Sequence, residues 1–541
     1  MSANSANVNA DGTLALAPNL FGYEQYSNAA QFFGGAVPQQ VLGQGVGYGI
    51  VVGFSAVFFI IGAGLVWADK KFAGANYNNE QFNTAGRTIG PGLIAVDVVS
   101  HWTWASIILS GGTYVWFYGS GSALWFGTGS GTMTVWLFCV VAIELKHRAP
   151  KAHTFLEIIK VRWGFQCHLI FAFFGLFTNF FVSLAMMYAA VSVLSTTTGA
   201  DIYALSFLIP LGVSAYAIVG GLKATFTTSY LHTILIYVGV IMFLFYVYCS
   251  KKVGLGSMDI VYDRLQTVAQ AYPISGNKGG SYTTIFSIGA FEINLIYVVT
   301  AFSALFCDQS YWQSAIAASP EGAVNGYAIG SYLYLGIMYA FPIGLGLGGL
   351  CLDLPISLTE VQNDLVFSAA AYGIIGRPGV VLINCIIFMA VTSSGSGEML
   401  AVSSLFTFDF YREYLRPQAS GRELVMVSRI AVLVWACIMG AAICIFQAAG
   451  VNVYWLTIWN GIICAGAVGP VIYLLSLERC TGFAAGWCGA ALGCACGVIT
   501  WLVYPAVNDG TVTIETTEKN GPVLAGAGVA LIVGFVVPPI I

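Results

Sequence analysis

The chain has 541 residues, a formal net charge of −4, 58% apolar residues and only 8% charged ones. Soluble domains carry about 25% charged residues, so this balance, with a mean hydropathy of +0.80, excludes a water-soluble globular protein. It describes an all-α polytopic membrane protein with the lipid bilayer as its surroundings, and the absence of a basic stripe excludes nucleic acid as a partner.

In chain order, residues 1–45 are polar and hold no Lys or Arg, so they lack the basic n-region of a cleavable signal peptide. An extracellular segment followed by a leading helix at 46–67 is expected. Each crossing takes about 20 apolar residues. On that measure further spans fall at 89–112, 120–143, 165–196, 202–219, 227–249, 284–306, 324–351, 379–405, 425–448, 452–476, 481–503 and 522–541, thirteen in all. With the N-terminus outside, fourteen of the 20 Lys and Arg fall on the cytoplasmic side, as the positive-inside rule requires.

The spans divide into five within 88–250, a polar external stretch at 251–283 with a short helical pattern around Ile260–Ala271, and five more within 284–476; trailing helices fill 477–541. Two sets of five predict an inverted repeat, because an odd number of crossings reverses the second half. Such repeats place their site at the midplane between interrupted helices. The first helix of each set suits local unwinding: 89–112 carries Gly90, Pro91, Gly92, Asp97, Ser100 and His101, and 284–306 carries Gly289, Glu292, Asn294, Tyr297 and Thr300. Half-wound backbone is expected near Ala95 and near Tyr297.

The segment 378–412 is a third polar interruption, with Thr392, Ser393, Ser394, Ser396 and Glu398 inside a membrane-length run. Unsatisfied polar groups at that depth cost several kcal/mol each (roughly), so this segment reads as a binding site. Its serines could instead bond back to their own helix. The 13 cysteines form no CxxC pair and imply neither a disulfide framework nor a metal cage. No Walker loop, HExxH or GxSxG motif is present, which argues against an enzyme or an ATP-driven pump and calls for no cofactor beyond a coupling ion.

Three stretches carry a family resemblance. Ala390 to Ser394 followed by Thr407-Phe-Asp409-Phe-Tyr411 resembles the eighth core helix of the sodium:solute symporters, Gly220-Gly221 resembles the signature after their fourth core helix, and Asp308 to Ala318 resembles the loop between helices six and seven. Within that family, Asn83 to Arg87, Trp102 to Ala105, Arg148 to Thr154 and Leu352 to Ser357 resemble the urea active transporters of fungi, plants and algae. The resemblance implies a LeuT-like inverted five-plus-five fold with one leading and about two trailing helices, and ion-coupled import of urea across the plasma membrane by alternating access.

It also implies site residues. The family's shared sodium site corresponds here to the carbonyls of Ala95, Val98 and Ala390 and the hydroxyls of Ser393 and Ser394, five hard oxygens suited to a small cation. Asp97, between two of them, would balance the ion, gate, or take up a proton. Ser229 and His232 stand where members with a second sodium have a Thr-Asp-x-x-Gln pattern, so one coupling ion is expected. Urea is planar and neutral, with four N–H donors and one acceptor oxygen, and needs flat faces and edge acceptors. His101, Trp102, Trp104, Asn294 and Tyr297 could supply them. Asp353 and Glu398 resemble fixed positions of the urea branch, in contact, gating or bracing roles. Sodium and proton both remain open as the coupling ion. Polyamines are an alternative cargo, with Glu292, Asp353 or Glu398 as counter-charges, and a urea channel or a transporter-like sensor are alternatives of other classes.

Overall fold

The computed structural model describes residues 18–72 and 79–541, so residues 1–17 of the expected N-terminal segment lie outside the described residues. Among the described residues the structure is helical, with two isolated bridges in place of any sheet. The helices are α1 (Gln44–Phe72), α2 (Asn79–Thr84), α3 (Pro91–Trp102), α4 (Ala105–Tyr118), α5 (Ser120–Arg148) and α6 (Phe155–Thr198). They continue as α7 (Ile202–Tyr248), α8 (Met258–Ala271), α9 (Ile288–Cys307), α10 (Gln309–Ala317), α11 (Pro320–Leu350) and α12 (Val366–Ile375). The last are α13 (Arg377–Leu415), α14 (Gly421–Ala448), α15 (Val453–Ser476), α16 (Phe483–Asn508) and α17 (Asn520–Ile540).

Eleven of the described helices are long and apolar enough to cross a bilayer, and α3 with α4 makes a twelfth, bent by 61°. The 47 residues of α7 would extend about 70 Å at about 1.5 Å each, twice the hydrocarbon thickness of about 30 Å. Gly221 divides it, with φ +58° and ψ −169°. A Cβ there would lie 2.8 Å from the Phe82 ring, so only glycine suits both the conformation and the contact. By sequence, α7 divides into two crossings, 202–219 and 227–249, so thirteen are expected against these eleven or twelve.

The discontinuities that position the site differ from those expected. Gly90-Pro91-Gly92 starts α3 instead of breaking it, because proline at the first helical position forfeits no internal hydrogen bond. The chain bends at Thr103–Trp104, eight residues past Ala95, where the Thr103 hydroxyl caps the Val99 carbonyl and the Trp104 indole N–H caps that of His101. The Val99 carbonyl keeps the Thr103 N–H at 2.9 Å as well, while the indole serves the His101 carbonyl where the backbone turns away. The helix that carries Tyr297 is unbroken: α9 runs from Ile288 to Cys307. It stops at Asp308, whose Oδ1 accepts the Ser310 N–H at 2.7 Å and so starts α10.

Helix α13 is buried on all sides from Ile386 to Leu405, as a helix at the centre of a bundle must be. It packs on α3, α6, α7 and α14, while α9 packs on α15 and α3 on α11.

Candidate functional site at the helix bend

A cavity of about 20 Å³, measured as the space open to the centre of a water molecule, lies beside the bend. One water needs about 10–15 Å³ on this measure, so this conformation encloses room for a few atoms. Trp102 and Trp104 form one wall, stacked with centroids 6.0 Å apart and planes within 3°. Tyr311 of α10 backs Trp102 at 4.7 Å. Phe181 of α6 and Ile107 of α4 add apolar surface, and Ser130, Tyr297, Thr300, Thr457 and Asn460 supply polar edges. Trp102 Nε1 and both amide atoms of Asn460 are buried without hydrogen-bond partners, so they are free to meet a polar cargo.

Of the residues expected at the substrate, the structure therefore brings Trp102, Trp104 and Tyr297 together at one cavity; Tyr297 is held there by the hydroxyl of Tyr114 at 3.1 Å. His101 faces away from it. Its Nδ1 donates to Asp97 Oδ2 at 3.0 Å, and its Nε2 points at the backbone of Gly397, where an added Cβ would stand 1.9 Å away. Asn294 lies against Gly129 of α5, outside the lining. Glu398 is also outside the lining, bonded to Asn179 and Ser310. Asp353 sits in the turn after α11 with φ +49°; its carboxylate accepts the Leu20 N–H and its carbonyl the Asn19 amide, each at 2.8 Å, so it pins the N-terminal segment.

Asn460, Thr457, Thr300 and Ser130 were not singled out from the sequence as cargo residues. Asn460 was findable, since it is an amide inside the apolar run Trp455 to Ala467 at membrane depth. The three hydroxyl residues gave no such signal, because Ser and Thr in apolar helices usually bond back to their own turn.

The residues expected at the cation divide in two. Ser394 donates to the carbonyl of Ser100 at 2.9 Å, and the Ser393 hydroxyl meets that of Ser100, so the serine pair is joined to the last turn of α3. Ala390 is buried one turn earlier on α13. Ala95 and Val98 lie on the flank of α3 that faces α11: a Cβ on Gly330 would be 2.9 Å from the Ala95 carbonyl oxygen and 2.8 Å from the Val98 side chain. Asp97 is fully buried between α3 and α10; besides His101 it accepts the Ser314 hydroxyl at 2.7 Å, and its Oδ1 has no partner.

A second cavity, of about 780 Å³, is lined by Arg148, His153, Glu157, Lys160, Arg412 and Glu478 among others, and forms a charged vestibule. His153 bridges Glu80 at 2.5 Å and Glu157 at 3.3 Å and stacks on Phe408. Its hydrogen bond holds the half-exposed Glu80 carboxyl down, at about 2. Away from this vestibule, between α11 and α12, Asp364 accepts the Thr113 hydroxyl at 2.7 Å and is pushed up to about 7 by burial.

Bent helix, small cavity and charged vestibule together describe a multi-pass membrane transporter with its site at the bend. The Sodium:solute symporter family model matches residues 82–490, and the chain belongs to that family. It is 42% identical over 536 residues to the urea-proton symporter DUR3 of Oryza sativa subsp. japonica, a match covering 95% of this chain and 74% of that protein. It is 38% identical to the probable urea active transporter 1 of Schizosaccharomyces pombe, over 91% of this chain and 76% of that one. Among solved structures, a Na+-coupled sialic acid symporter in a substrate-bound outward-open state superposes with a TM-score of 0.65 at 15% identity, covering 92% of this chain and 98% of that one. The chain thus shares the fold of that structure.

Proposed function

We propose that this protein imports urea across the plasma membrane by ion-coupled symport, with its N-terminus outside. The observation that carries this reading is the cavity at the bend: two stacked indoles offer a flat face, and Asn460, Thr300, Thr457, Ser130 and Tyr297 offer donors and acceptors around it. That is the complement of a small planar amide. No Asp or Glu lines this cavity, which favours neutral urea over polyamines as cargo. The names of the rice and yeast relatives agree with it.

In this mechanism the five-helix sets 88–250 and 284–476 act as inverted halves and expose the cavity alternately to the two sides. A cation bound where Ser393 and Ser394 meet α3 tightens the bend and makes the cavity accept urea. Ala390 is the further ligand implied for sodium; Ala95 and Val98, also implied by the resemblance, face α11 in this conformation and do not join it, and Asp97 is a coupling or gating group. Release runs through the charged vestibule. One charge crossing 100 mV supplies about 2.3 kcal/mol, enough for roughly fifty-fold accumulation.

The test is uptake of labelled urea into proteoliposomes with sodium and proton gradients imposed separately. Uptake should saturate and should follow one of the gradients. Non-saturable uptake that ignores both would make the protein a channel and sink the reading.

A further inference from the structure

Asp308 and Glu398 form a carboxyl pair for which neither cavity gives an account. Both side chains are at most 1% exposed. One amide joins them: Asn179 Nδ2 of α6 donates to Asp308 Oδ1 at 2.7 Å and to Glu398 Oε2 at 2.6 Å. Ser310 completes the cluster, its hydroxyl donating to Glu398 Oε1 at 2.8 Å and its N–H to Asp308 Oδ1 at 2.7 Å. All of these partners are neutral, and Asp308 Oδ2 is left buried with none.

Two carboxylates sharing one donor in a dry interior repel strongly, and neutral amides and hydroxyls cannot balance two charges. A single proton resolves the conflict, since the acid form of one carboxyl then donates toward the other. The surrounding titratable groups do not supply a rival counter-charge. From α3, His101 also feels the Asp308 charge, but its hydrogen bond is to the Asp97 carboxyl; from α10, Tyr311 is a phenol; from α9 and α15, Cys307 and Cys464 are buried thiols.

The position of the pair matters as much as its charge. Ala304, one turn before Asp308 on α9, lines the cavity at the bend, and Tyr311, next to Ser310, backs Trp102. On the other side, Gln309 donates to the His153 carbonyl at 3.0 Å and accepts the Phe155 N–H at 3.2 Å, at the wall of the vestibule. The pair therefore stands between the two cavities, where α6, the α9–α10 junction and α13 meet.

We infer that Asp308 and Glu398 together bind the coupling proton: one proton is taken from the entry side onto the pair when the cavity loads, and is released to the vestibule when the α9–α10 junction moves away from α13. This rests on the urea-symport reading for the cargo, and it puts the one coupling ion at this pair in place of the cation position at Ser393 and Ser394. The proton's arrival lowers the pair's charge from two to one, and its departure restores the repulsion that parts the helices.

The test uses the purified full chain, first in proteoliposomes holding a pH-sensitive dye. Wild type is expected to acidify the lumen as labelled urea enters under an imposed pH gradient. Glu398→Gln and Asp308→Asn, each checked for a wild-type elution profile, are expected to lose that acidification and the stimulation of uptake by the gradient. In parallel, infrared titration of the detergent-purified protein carrying Asp364→Asn, which removes the other carboxyl raised to about 7, reads the C=O stretch of protonated carboxyls, expected at neutral pH with Asp308 and Glu398 intact and lost on adding Glu398→Gln. Variants that still acidify the lumen, or an Asp364→Asn protein with no protonated buried carboxyl at neutral pH, would overturn the inference. So would urea uptake driven by sodium alone, which leaves the urea reading intact. Absence of urea uptake under every gradient sinks the urea reading instead, and the infrared band then decides the proton pair by itself. It also decides the matter if either variant fails to fold.

Discussion

The Ser394 hydroxyl donates to the Ser100 carbonyl across 2.9 Å, which ties the middle of α13 to the last turn of α3 before the chain bends. A helix carbonyl near a terminus lacks its usual partner, so this bond fixes where α3 ends as well as how it packs. Ser394→Ala should cost about 1 kcal/mol of stability, read as a small drop in the thermal midpoint of the purified protein. Its effect on urea uptake at a fixed ion gradient should be larger, because the same hydroxyl faces the candidate cation position. Unchanged uptake with unchanged ion dependence would remove the serine pair from coupling.

Asn460 carries the most unpaired hydrogen-bonding capacity at the cavity, with both amide atoms buried and neither partnered. Asn460→Leu should lose about 2 kcal/mol of cargo binding, a roughly thirty-fold rise in the half-saturating urea concentration. Maximal uptake should change much less. The measurement is concentration-dependent uptake of labelled urea, and an unaltered half-saturation would place the cargo elsewhere.

Two glycines on α13 make a matched pair for steric tests. A methyl on Gly397 would stand 1.9 Å from His101 Nε2, while one on Gly395 would meet only the flexible end of Met187 at 3.1 Å. Gly397→Ala should therefore destabilise by about 1–3 kcal/mol and displace the His101–Asp97 pair, whereas Gly395→Ala should behave nearly as wild type. Thermal unfolding of the two variants side by side checks this; equal midpoints would contradict the packing.

Asp364 gives a pH dependence with a defined sign. Its carboxyl is raised from 3.8 to about 7 by burial, so the stabilisation from burying the neutral acid is complete below pH 3.8 and is lost as pH rises through about 7. Asp364→Asn keeps an acceptor for Thr113 without a charge, and should flatten the curve of thermal midpoint against pH across that window. A wild-type midpoint that does not fall between those values would show the acid to be solvated.

Much of this architecture was legible in the residues because the bilayer imposes one dominant rule. An apolar run of span length has to be a helix, so the helical membrane architecture and the polar interruption at Thr392 to Glu398 could be read directly. The break in the first core helix was assigned too early, because Gly90-Pro91-Gly92 reads equally as a helix start and as a helix break. Tyr297 was given a broken helix it does not have; the chain turns at Asp308, where a capping carboxylate, and no glycine or proline, makes the stop.

The sequence by itself determined that the chain lives in a membrane as a bundle of helices and which of those helices carry polar groups at depth, since these follow from local composition and the cost of burying polar atoms. Only the tertiary structure decided which of those groups meet. It sent Glu398 to Asn179 and Ser310, Asp353 to Asn19 and Leu20, and Asn460 to the two tryptophans. Partners that lie far apart along the chain are chosen by helix rotation and packing, and a one-residue turn of 100° on a helix is invisible to composition but changes every neighbour a side chain has.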